Sequence, residues 1–190
     1  SRDFAAVEAQ LGLPLFVKPA SEGSSIGISK VKSAAELPAA IEAAQQHDPK
    51  VVVEAAVADF REIECSVLVR DGVPCASVPA EIVVHGAHEF YDFEAKYLED
   101  SAELVVPARL DAETTERVQR AALQAFASMG CEGFARCDFF LLADGSILFN
   151  EVNTLPGFTS ISMFPRTWLA SGLTYPALVE ELIADAMTRG

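Results

Sequence analysis

The stretch RCDFFLLADGSILFNEVN, residues 136–153, predicts a β-hairpin around which the second half of the chain is organised. Apolar, strand-forming runs lie on both sides of Asp144-Gly145, a dipeptide that favours two-residue hairpin turns. If these two residues are the whole loop, Ala143 pairs with Ser146. This pair sets the register of all the others, because the register of a hairpin follows from the length of its loop.

This register places four polar side chains on one face of the hairpin. Asp138 lies opposite Glu151, Arg136 lies opposite Asn153, and residues two apart point to the same side. Opposed carboxylates have Cβ atoms about 5 Å apart and repel each other unless a cation lies between them. Because Mg²⁺ prefers acidic and amide oxygens, we expect Asp138, Glu151 and Asn153 to bind it. A solvated face with incidental charges is the alternative, which the apolar neighbours disfavour.

Three basic side chains are candidates for binding an anion. Lys18 precedes the loop SEGSSIG, residues 21–27, whose glycines and N–H groups suit a phosphate, although an ordinary flexible turn fits the same residues. Here the lysine precedes the glycines along the sequence, whereas in a Walker P-loop the lysine follows them. Lys96 lies in a polar segment, where a lysine is usually only solvated. Arg136 lies on an apolar strand, and spacing alone leaves open a structural salt bridge or the stabilisation of an oxyanion.

The composition argues against several classes of partner. The 14 basic and 28 acidic residues give a net charge of −14, which opposes nonspecific binding to nucleic acid or anionic lipid. No apolar run approaches the roughly 18 residues that a membrane span needs. The cysteines form no CxxC pair, which is typical of reduced thiols rather than of zinc ligands or disulfides; they are Cys65, Cys75, Cys131 and Cys137. We therefore expect a cytoplasmic protein without nucleic-acid or membrane partners.

The apolar pattern predicts an α+β fold built from antiparallel hairpins. Ser33 and Glu36 have the spacing of a capping box, and Asp111 and Gly130 suit the two ends of a helix whose apolar stripe extends to Met129. The predicted elements are strands at 13–18, 28–31 and 51–53, a hairpin at 63–69 and 76–84, helices at 34–46, 112–129 and from Pro176, and an exposed loop at 85–103.

Four segments together resemble one family. VKPASEGSSIGISKV (17–31), YDFEAKY (91–97), GFARCDFF (133–140) and FNEVNTLPGFTSISMFP (149–165) are similar in order and spacing to the D-alanine–D-alanine ligase family of ATP-grasp enzymes. The resemblance implies antiparallel sheets flanked by helices, in two lobes around the nucleotide. Residues 1–60 would form part of the small lobe with its glycine-rich flap, and residues 61–190 the large lobe with the metal site. The N-terminal substrate domain of the family would be absent from this chain.

The resemblance also implies an activity. Such ligases use ATP and Mg²⁺ to join two D-alanines through an acyl phosphate, which provides D-alanyl-D-alanine for peptidoglycan. Two Mg²⁺ ions are expected, Mn²⁺ is able to replace them, and a homodimer is compatible with the family. The alternatives are an ATP-grasp ligase with another acceptor, such as D-lactate, and a non-catalytic nucleotide-binding fragment. We expect these 190 residues alone to be inactive.

Site residues follow from the same resemblance. The groups expected to bind ATP are Lys18 and Lys96 at the phosphates, Ser25 in the flap, Glu54 at the adenine amino group, Val57 in the adenine slot and Glu62 at the ribose. The groups expected to bind metal are Asp138, Glu151, which bridges the two ions, and Asn153. The groups expected at the reacting atoms are Arg136 and the Gly157 N–H at the tetrahedral intermediate, Ser162 at the carboxylate of the second D-alanine, and Tyr97, which closes the loop onto Ser24 in the dipeptide-forming subtype.

Overall fold

The computed structural model describes residues 4–23, 25–84 and 102–189. They form two compact units, one made of described residues up to 58 and the other of described residues from 59 onward. No helix among the described residues is long and apolar enough to cross a membrane.

The first unit is a three-stranded antiparallel sheet with two helices. Its elements are α1 (Phe4–Leu11), β1 (Leu15–Pro19), β2 (Ser29–Val31), α2 (Leu37–Gln45) and β3 (Val51–Ala55), with strand order β2-β1-β3. Leu15 and Val17 are fully buried in a core with Leu37 of α2. Because side chains alternate along a strand, Phe16 and Lys18 lie on the other face of β1.

The helix predicted at 34–46 is divided at its start. Residues Ala34–Glu36 form a 3₁₀ turn, and α2 begins at Leu37 with Pro38 in its first turn, where a missing N–H is tolerated. Glu36 accepts hydrogen bonds from the Ser33 hydroxyl (2.7 Å) and the Lys32 N–H (3.0 Å). The Ser33 side chain makes no capping bond to the backbone, and Glu36 accepts from the N–H of Lys32 instead of that of Ser33, so the two residues interact but do not form the predicted capping box.

The second unit is a six-stranded antiparallel sheet centred on β4. Its elements are β4 (Phe60–Arg70), β5 (Val73–Ala76), β6 (Ala80–Val84), β7 (Ala102–Val105), α3 (Ala112–Ser128), β8 (Phe134–Leu142), β9 (Ile147–Asn153), α4 (Met163–Ala170) and α5 (Tyr175–Arg189). The strand order is β7-β6-β4-β8-β9, and β5 pairs with the last part of β4. The predicted α+β class with antiparallel hairpins is confirmed.

The two faces of the β4 sheet have different surroundings. Ile63, Cys65 and Val67 point to one face and form a core with α3. On the opposite face, Leu68 packs with Phe164, Trp168 and Leu178 of α4 and α5. Since side chains alternate, Glu62 and Glu64 share the face of Leu68.

The predicted strand at 76–84 is interrupted, and a hydroxyl group explains why. Ser77 Oγ accepts a hydrogen bond from the Ser66 N–H (3.1 Å), a position that a backbone carbonyl takes in a regular ladder. The next N–H, of Val78, donates to Ser171 Oγ of α4 (2.8 Å) instead of to a strand. The result is two short strands, β5 and β6, which both pair with β4.

Other predictions near the sheet also need correction. The predicted loop at 85–103 ends early, because β7 begins at Ala102 and pairs with β6; residues 85–101 of that loop lie outside the described residues. Helix α4 was not predicted, since it is short and carries Pro165 in its first turn. Met129 is exposed, whereas Val118, Ala122 and Phe126 form the buried stripe of α3.

Helix α3 begins and ends where the sequence predicts. Asp111 accepts a hydrogen bond from the Thr114 N–H (2.7 Å) and caps the helix, which lowers the pKa of this carboxyl group. Gly130 follows the helix with a φ of +64°, a conformation that glycine adopts without strain.

Two of the four cysteine thiols are buried opposite each other. Cys65 of β4 pairs with Cys137 of β8, and both are fully buried. Burial is the main cause that raises the pKa of each thiol to about 12. Both groups are therefore neutral and unreactive at neutral pH, as expected for structural thiols.

The glycine-rich loop contains one glycine with a packing role. Gly27 has a φ of +72°, and a Cβ there would lie 2.7 Å from His47 Cδ2 and 2.9 Å from Pro19 Cγ. We predict that Gly27→Ala lowers the free energy of unfolding by about 2 kcal/mol, through backbone strain and overpacking. Gly23→Ala is the matched control, since a Cβ at Gly23 meets nothing within 4 Å. Urea unfolding measures both variants, and equal losses would contradict the packing role.

Candidate functional site

The hairpin of β8 and β9 has the predicted register at its functional end. Arg136 pairs with Asn153, and Asp138 pairs with Glu151. All four side chains therefore lie at the end of the hairpin remote from its turn. This part of the prediction is confirmed.

The turn itself was predicted wrongly. Its loop contains three residues, 143–145, because the Leu142 N–H donates to the Ser146 carbonyl (2.9 Å) and the Gly145 N–H donates to the Leu142 carbonyl (2.9 Å). Gly145 has a φ of +83°, as in hairpins where a left-handed residue follows a type I turn. A two-residue loop would have paired Ala143 with Ser146.

A β-bulge restores the register that the longer loop displaces. Phe139 pairs with Phe149 and Asp138 pairs with Glu151, so Asn150 is an extra residue on β9. The longer loop and the bulge shift the register by one residue in opposite senses. The predicted Asp138–Glu151 pair is therefore right although one step that led to it was wrong.

The central strand adds a third carboxylate that was not predicted as a site residue. Glu64 of β4 lies directly opposite Asp138, so Glu64, Asp138 and Glu151 form one row across three adjacent strands. We call these three residues the carboxylate row. Glu64 and Asp138 are only 4% and 3% exposed.

Arg136 is the counter-ion of this row. Its Nε and Nη2 donate to the two carboxylate oxygens of Asp138, both at 2.8 Å, in a bidentate pair. Its Nε also lies 3.2 Å from Oε2 of Glu64. Burial alone would lower the pKa of Arg136, but the charges of Asp138 and Glu64 outweigh it and raise this pKa well above its ordinary value. Because the pKa of Arg136 is raised even further above the neutral range, its guanidinium stays charged at any working pH.

Asn153 contacts two carboxylates of the row, those of Asp138 and Glu151. Its Nδ2 donates to Oδ2 of Asp138 (3.0 Å) and lies 3.3 Å from Oε1 of Glu151. Three carboxylates and one guanidinium leave a formal charge of −2 in this cluster. A divalent cation would balance that charge, and hard oxygen donors are suited to Mg²⁺. Within the described ranges, however, no three His, Cys, Asp or Glu residues are grouped closely enough to hold a metal.

Gly157 and Ser162 are brought together in the segment between β9 and α4. A Cβ on Gly157 would lie 2.8 Å from Ser162 Oγ, so only glycine leaves that hydroxyl in place. Ser162 Oγ accepts a hydrogen bond from the Thr159 N–H (3.0 Å) and lies 2.9 Å from Thr159 Oγ1. Ser162 also precedes the first residue of α4, where N–H groups point outward.

In the first unit, Lys18 and Glu54 lie together on one face of the sheet. Lys18 Nζ is 2.8 Å from Glu54 Oε1, and the two side chains are 18% and 38% exposed. Val57 is half-buried after the end of β3, and Ser25 has a φ of +60°. The predicted residues Ser24, Lys96 and Tyr97 lie outside the described residues.

Glu62 belongs to the second unit and shares a sheet face with Glu64. It pairs with Ile82 of β6 and Phe140 of β8, so a half-buried carboxylate lies between two apolar neighbours. The ring of Phe140 in turn packs on Phe60, with centroids 4.2 Å apart. The predicted ribose-binding residue therefore borders an apolar patch next to the carboxylate row.

The burial of the carboxylate row makes Arg136 important for stability. We predict that Arg136→Met lowers the free energy of unfolding by about 3–5 kcal/mol, because it leaves buried carboxylates without their counter-ion. Arg120→Met is the control, since Arg120 is 65% exposed and pairs with Glu116 of the same helix (3.5 Å). Chemical denaturation of both variants tests this, and a small loss for Arg136→Met would contradict the counter-ion role.

Comparison with known proteins supports the family suggested by the motifs. The chain is 54% identical over 186 residues to a D-alanine–D-alanine ligase of Mycobacterium avium, with 95% of this chain and 50% of that protein covered. The structure is similar to the D-Ala:D-Ser ligase VanG from Enterococcus faecalis, with a TM-score of 0.82, 42% identity, and 95% and 51% of the two chains covered. The D-alanine-D-alanine ligase from Coxiella burnetii gives a TM-score of 0.82 at 35% identity, with 100% and 49% covered.

The extent of these matches is also informative. The chain spans about half the length of the curated relatives it matches. The profile of the family described as D-ala D-ala ligase C-terminus matches residues 1–184. The chain therefore belongs to the D-Ala–D-Ala ligase C-terminal family, and it has the ATP-grasp fold of these ligases.

Proposed function

We propose that the complete protein containing this chain joins two D-alanines in an ATP-dependent reaction that supplies D-alanyl-D-alanine for peptidoglycan. The observation that carries this proposal is the carboxylate row, with Arg136 between its two buried members, Glu64 and Asp138. Family membership supports the choice of substrate. We place the reaction in the cytoplasm, where ATP is available.

We assign ATP binding to the residues for which the sequence predicts that role. Lys18 neutralises phosphate charge, Glu54 accepts from the adenine amino group, and Val57 contacts the ring. Because Lys18 and Glu54 now form an ion pair at 2.8 Å, we infer that ATP separates them and gives each a new partner. Glu62 accepts hydrogen bonds from the ribose hydroxyls next to the apolar Phe140. Residues 1–60 act as the smaller ATP-grasp lobe with the flap, and residues 61–190 as the larger lobe.

Two carboxylates of the row and a neighbouring amide fit magnesium. Asp138, Glu151 and Asn153 would hold it, with Asn153 turning its amide oxygen toward the cation in place of Nδ2. When bound, Mg²⁺ neutralises phosphate oxygens during phosphoryl transfer. Two ions with Glu151 shared between them follow the family pattern and are part of the proposal.

The chemistry proceeds in two steps. A carboxylate oxygen of the first D-alanine attacks the γ-phosphorus, ADP leaves, and an acyl phosphate forms. The amine of the second D-alanine then attacks the acyl carbon, and a tetrahedral oxyanion develops before phosphate leaves. Arg136, which stays charged at any working pH, and the Gly157 N–H stabilise this oxyanion. The Ser162 hydroxyl, positioned by Thr159, donates to the carboxylate of the second D-alanine.

Further proposals for the complete protein concern the site of the first D-alanine and the identity of the acceptor. The relatives are about twice as long, and we infer that an N-terminal domain completes the site of the first D-alanine. The similarity to a D-Ala:D-Ser ligase makes D-serine an alternative acceptor, beside D-lactate. A non-catalytic nucleotide-binding role is the remaining alternative.

One assay tests the proposal against these alternatives. The intact protein is incubated with Mg²⁺-ATP and D-alanine alone, or with D-alanine plus D-serine or D-lactate, while ADP release and product mass are measured. We expect D-alanine-dependent ADP release and a D-alanyl-D-alanine product. A mixed product that predominates would indicate another acceptor, and nucleotide binding without turnover would indicate a binding role.

Glu151 provides a test of the metal assignment. We predict that Glu151→Gln lowers turnover of the intact protein by about a hundredfold or more, because the amide lacks the charge that binds the cation. The fold should persist, since the amide oxygen can still face Asn153. Glu180→Gln, at an exposed position on α5, is the control. Wild-type turnover in Glu151→Gln would refute the assignment.

Tyr97 provides a test of acceptor choice. If its hydroxyl closes the loop onto Ser24 in the dipeptide-forming subtype, Tyr97→Phe should raise the use of D-lactate relative to D-alanine. Tyr91→Phe, from the same YDFEAKY segment, is the matched control. The measurement is the ratio of the two products at equal acceptor concentrations. A ratio that stays at the wild-type value would argue against this role.

A further inference from the structure

We propose that Glu64 is a positioning residue for the ligation reaction: it holds the Arg136 guanidinium in place when a cation engages Asp138. This inference rests on the proposed function and extends it to a residue outside the predicted site. It concerns an ion pair on β4, a strand that the sequence does not place beside the metal-site hairpin.

The geometry gives Arg136 two anchors of different kinds. Asp138 takes hydrogen bonds from Nε and Nη2, both at 2.8 Å, whereas Glu64 Oε2 lies 3.2 Å from Nε. The Nε hydrogen is directed at Asp138, so the attraction to Glu64 is mainly that of charge. The pairing of β4 with β8 explains why Asp138 is the closer anchor and Glu64 the more distant one. Glu64 lies directly opposite Asp138, whereas the residue directly opposite Arg136 is Ser66, so Arg136 reaches Glu64 diagonally across the two strands.

Burial strengthens the second anchor. Glu64 is 4% exposed and the Arg136 side chain is 16% exposed, so water screens their attraction weakly. A carboxylate at such a buried position loses favourable hydration, and the attraction of a cationic partner offsets this loss. Glu81, by comparison, is 7% exposed and has its own bidentate partner in Arg61, with both distances 2.7 Å.

A bound cation would affect the two anchors differently. It would share the charge of Asp138 and repel the guanidinium, which weakens the first anchor. Glu64 is not among the proposed ligands, and within the described residues no group of three acidic, His or Cys side chains is arranged to hold a metal. Glu64 therefore continues to attract Arg136 and keeps it on the sheet face where the oxyanion develops.

The test compares two buried glutamates in the intact protein. We expect Glu64→Gln to lower kcat by about tenfold to a hundredfold, with KM for ATP and D-alanine changed by less than about threefold. Glu81→Gln is the control, because it breaks an ion pair on the opposite face of the same sheet, where Glu81 pairs with Ile63. It should lower thermal stability and leave kcat near the wild-type value.

A double-mutant cycle separates positioning from a general structural effect. If Glu64 acts through Arg136, then Glu64→Gln should change kcat by less than about threefold in an Arg136→Lys background. If Glu64→Gln lowered kcat by the same factor with Arg136 intact and in the Arg136→Lys background, the proposal would be overturned. An unchanged kcat in Glu64→Gln itself would also overturn it. If Glu64→Gln does not fold, Glu64→Asp, which retains the charge and retracts the carboxylate, is tested by the same cycle.

Metal affinity supplies a readout that does not depend on turnover. Titration with Mn²⁺, followed by electron paramagnetic resonance, should give dissociation constants within about threefold for wild type and Glu64→Gln. A weakening of more than about tenfold would make Glu64 a ligand and overturn the positioning role. Wild-type turnover in the same experiments tests the proposed function separately. If wild type is active and Glu64→Gln equals it, only the positioning inference fails.

Discussion

A single guanidinium held between buried carboxylates is the interaction on which the rest of the site depends. Arg136 contacts Asp138 at 2.8 Å and Glu64 at 3.2 Å, on a sheet where both acids are almost fully buried. Without this guanidinium, two buried carboxylates would lose their counter-ion, which is strongly destabilising. The same charges that stabilise the fold raise the pKa of Arg136, so the group that we propose for the oxyanion is charged at neutral pH. The excess of carboxylates over guanidinium leaves negative charge for a cation.

The backbone of the second unit places this cluster through three adjacent strands. β4, β8 and β9 each contribute one member of the carboxylate row, while the opposite face of β4 and β8 forms the core with α3. Hydroxyl groups also link the sheet to α4: Thr167 donates to Ser66 Oγ of β4 (2.7 Å), and Ser171, which directly follows α4, accepts from the Val78 N–H. Since Ser162 directly precedes α4, this helix connects the proposed acceptor-binding hydroxyl to the strand that carries Glu64.

Local signals explain what the sequence could predict. The apolar runs around Asp144-Gly145 identify the hairpin, and the periodicity and caps of α3 identify the helix beneath it. The pairing of Asp138 with Glu151 was predicted correctly only because the three-residue loop and the bulge at Asn150 compensate. Neither deviation has a clear signal in the sequence, since Gly145 suits both loop lengths.

Non-local pairing explains most of what could not be predicted. Glu64 alternates with apolar Ile63 and Cys65, which marks a polar face, but its position beside Asp138 depends on the pairing of β4 with β8, some seventy residues apart. The interruption between β5 and β6 depends on Ser171 of α4, which is also distant in sequence. Short elements such as β7 and α4 form because neighbours pair or pack with them, and their own residues predict them weakly.

The proposed ligation mechanism is tested most directly by measuring the transfer of an oxygen atom from D-alanine to phosphate. D-alanine labelled with ¹⁸O in its carboxylate is supplied with Mg²⁺-ATP to the intact protein, and the inorganic phosphate released is analysed by mass spectrometry. Because the attacking carboxylate oxygen leaves with phosphate when the acyl phosphate is consumed, we predict one ¹⁸O in each phosphate. Dipeptide formation with unlabelled phosphate would contradict the acyl-phosphate route.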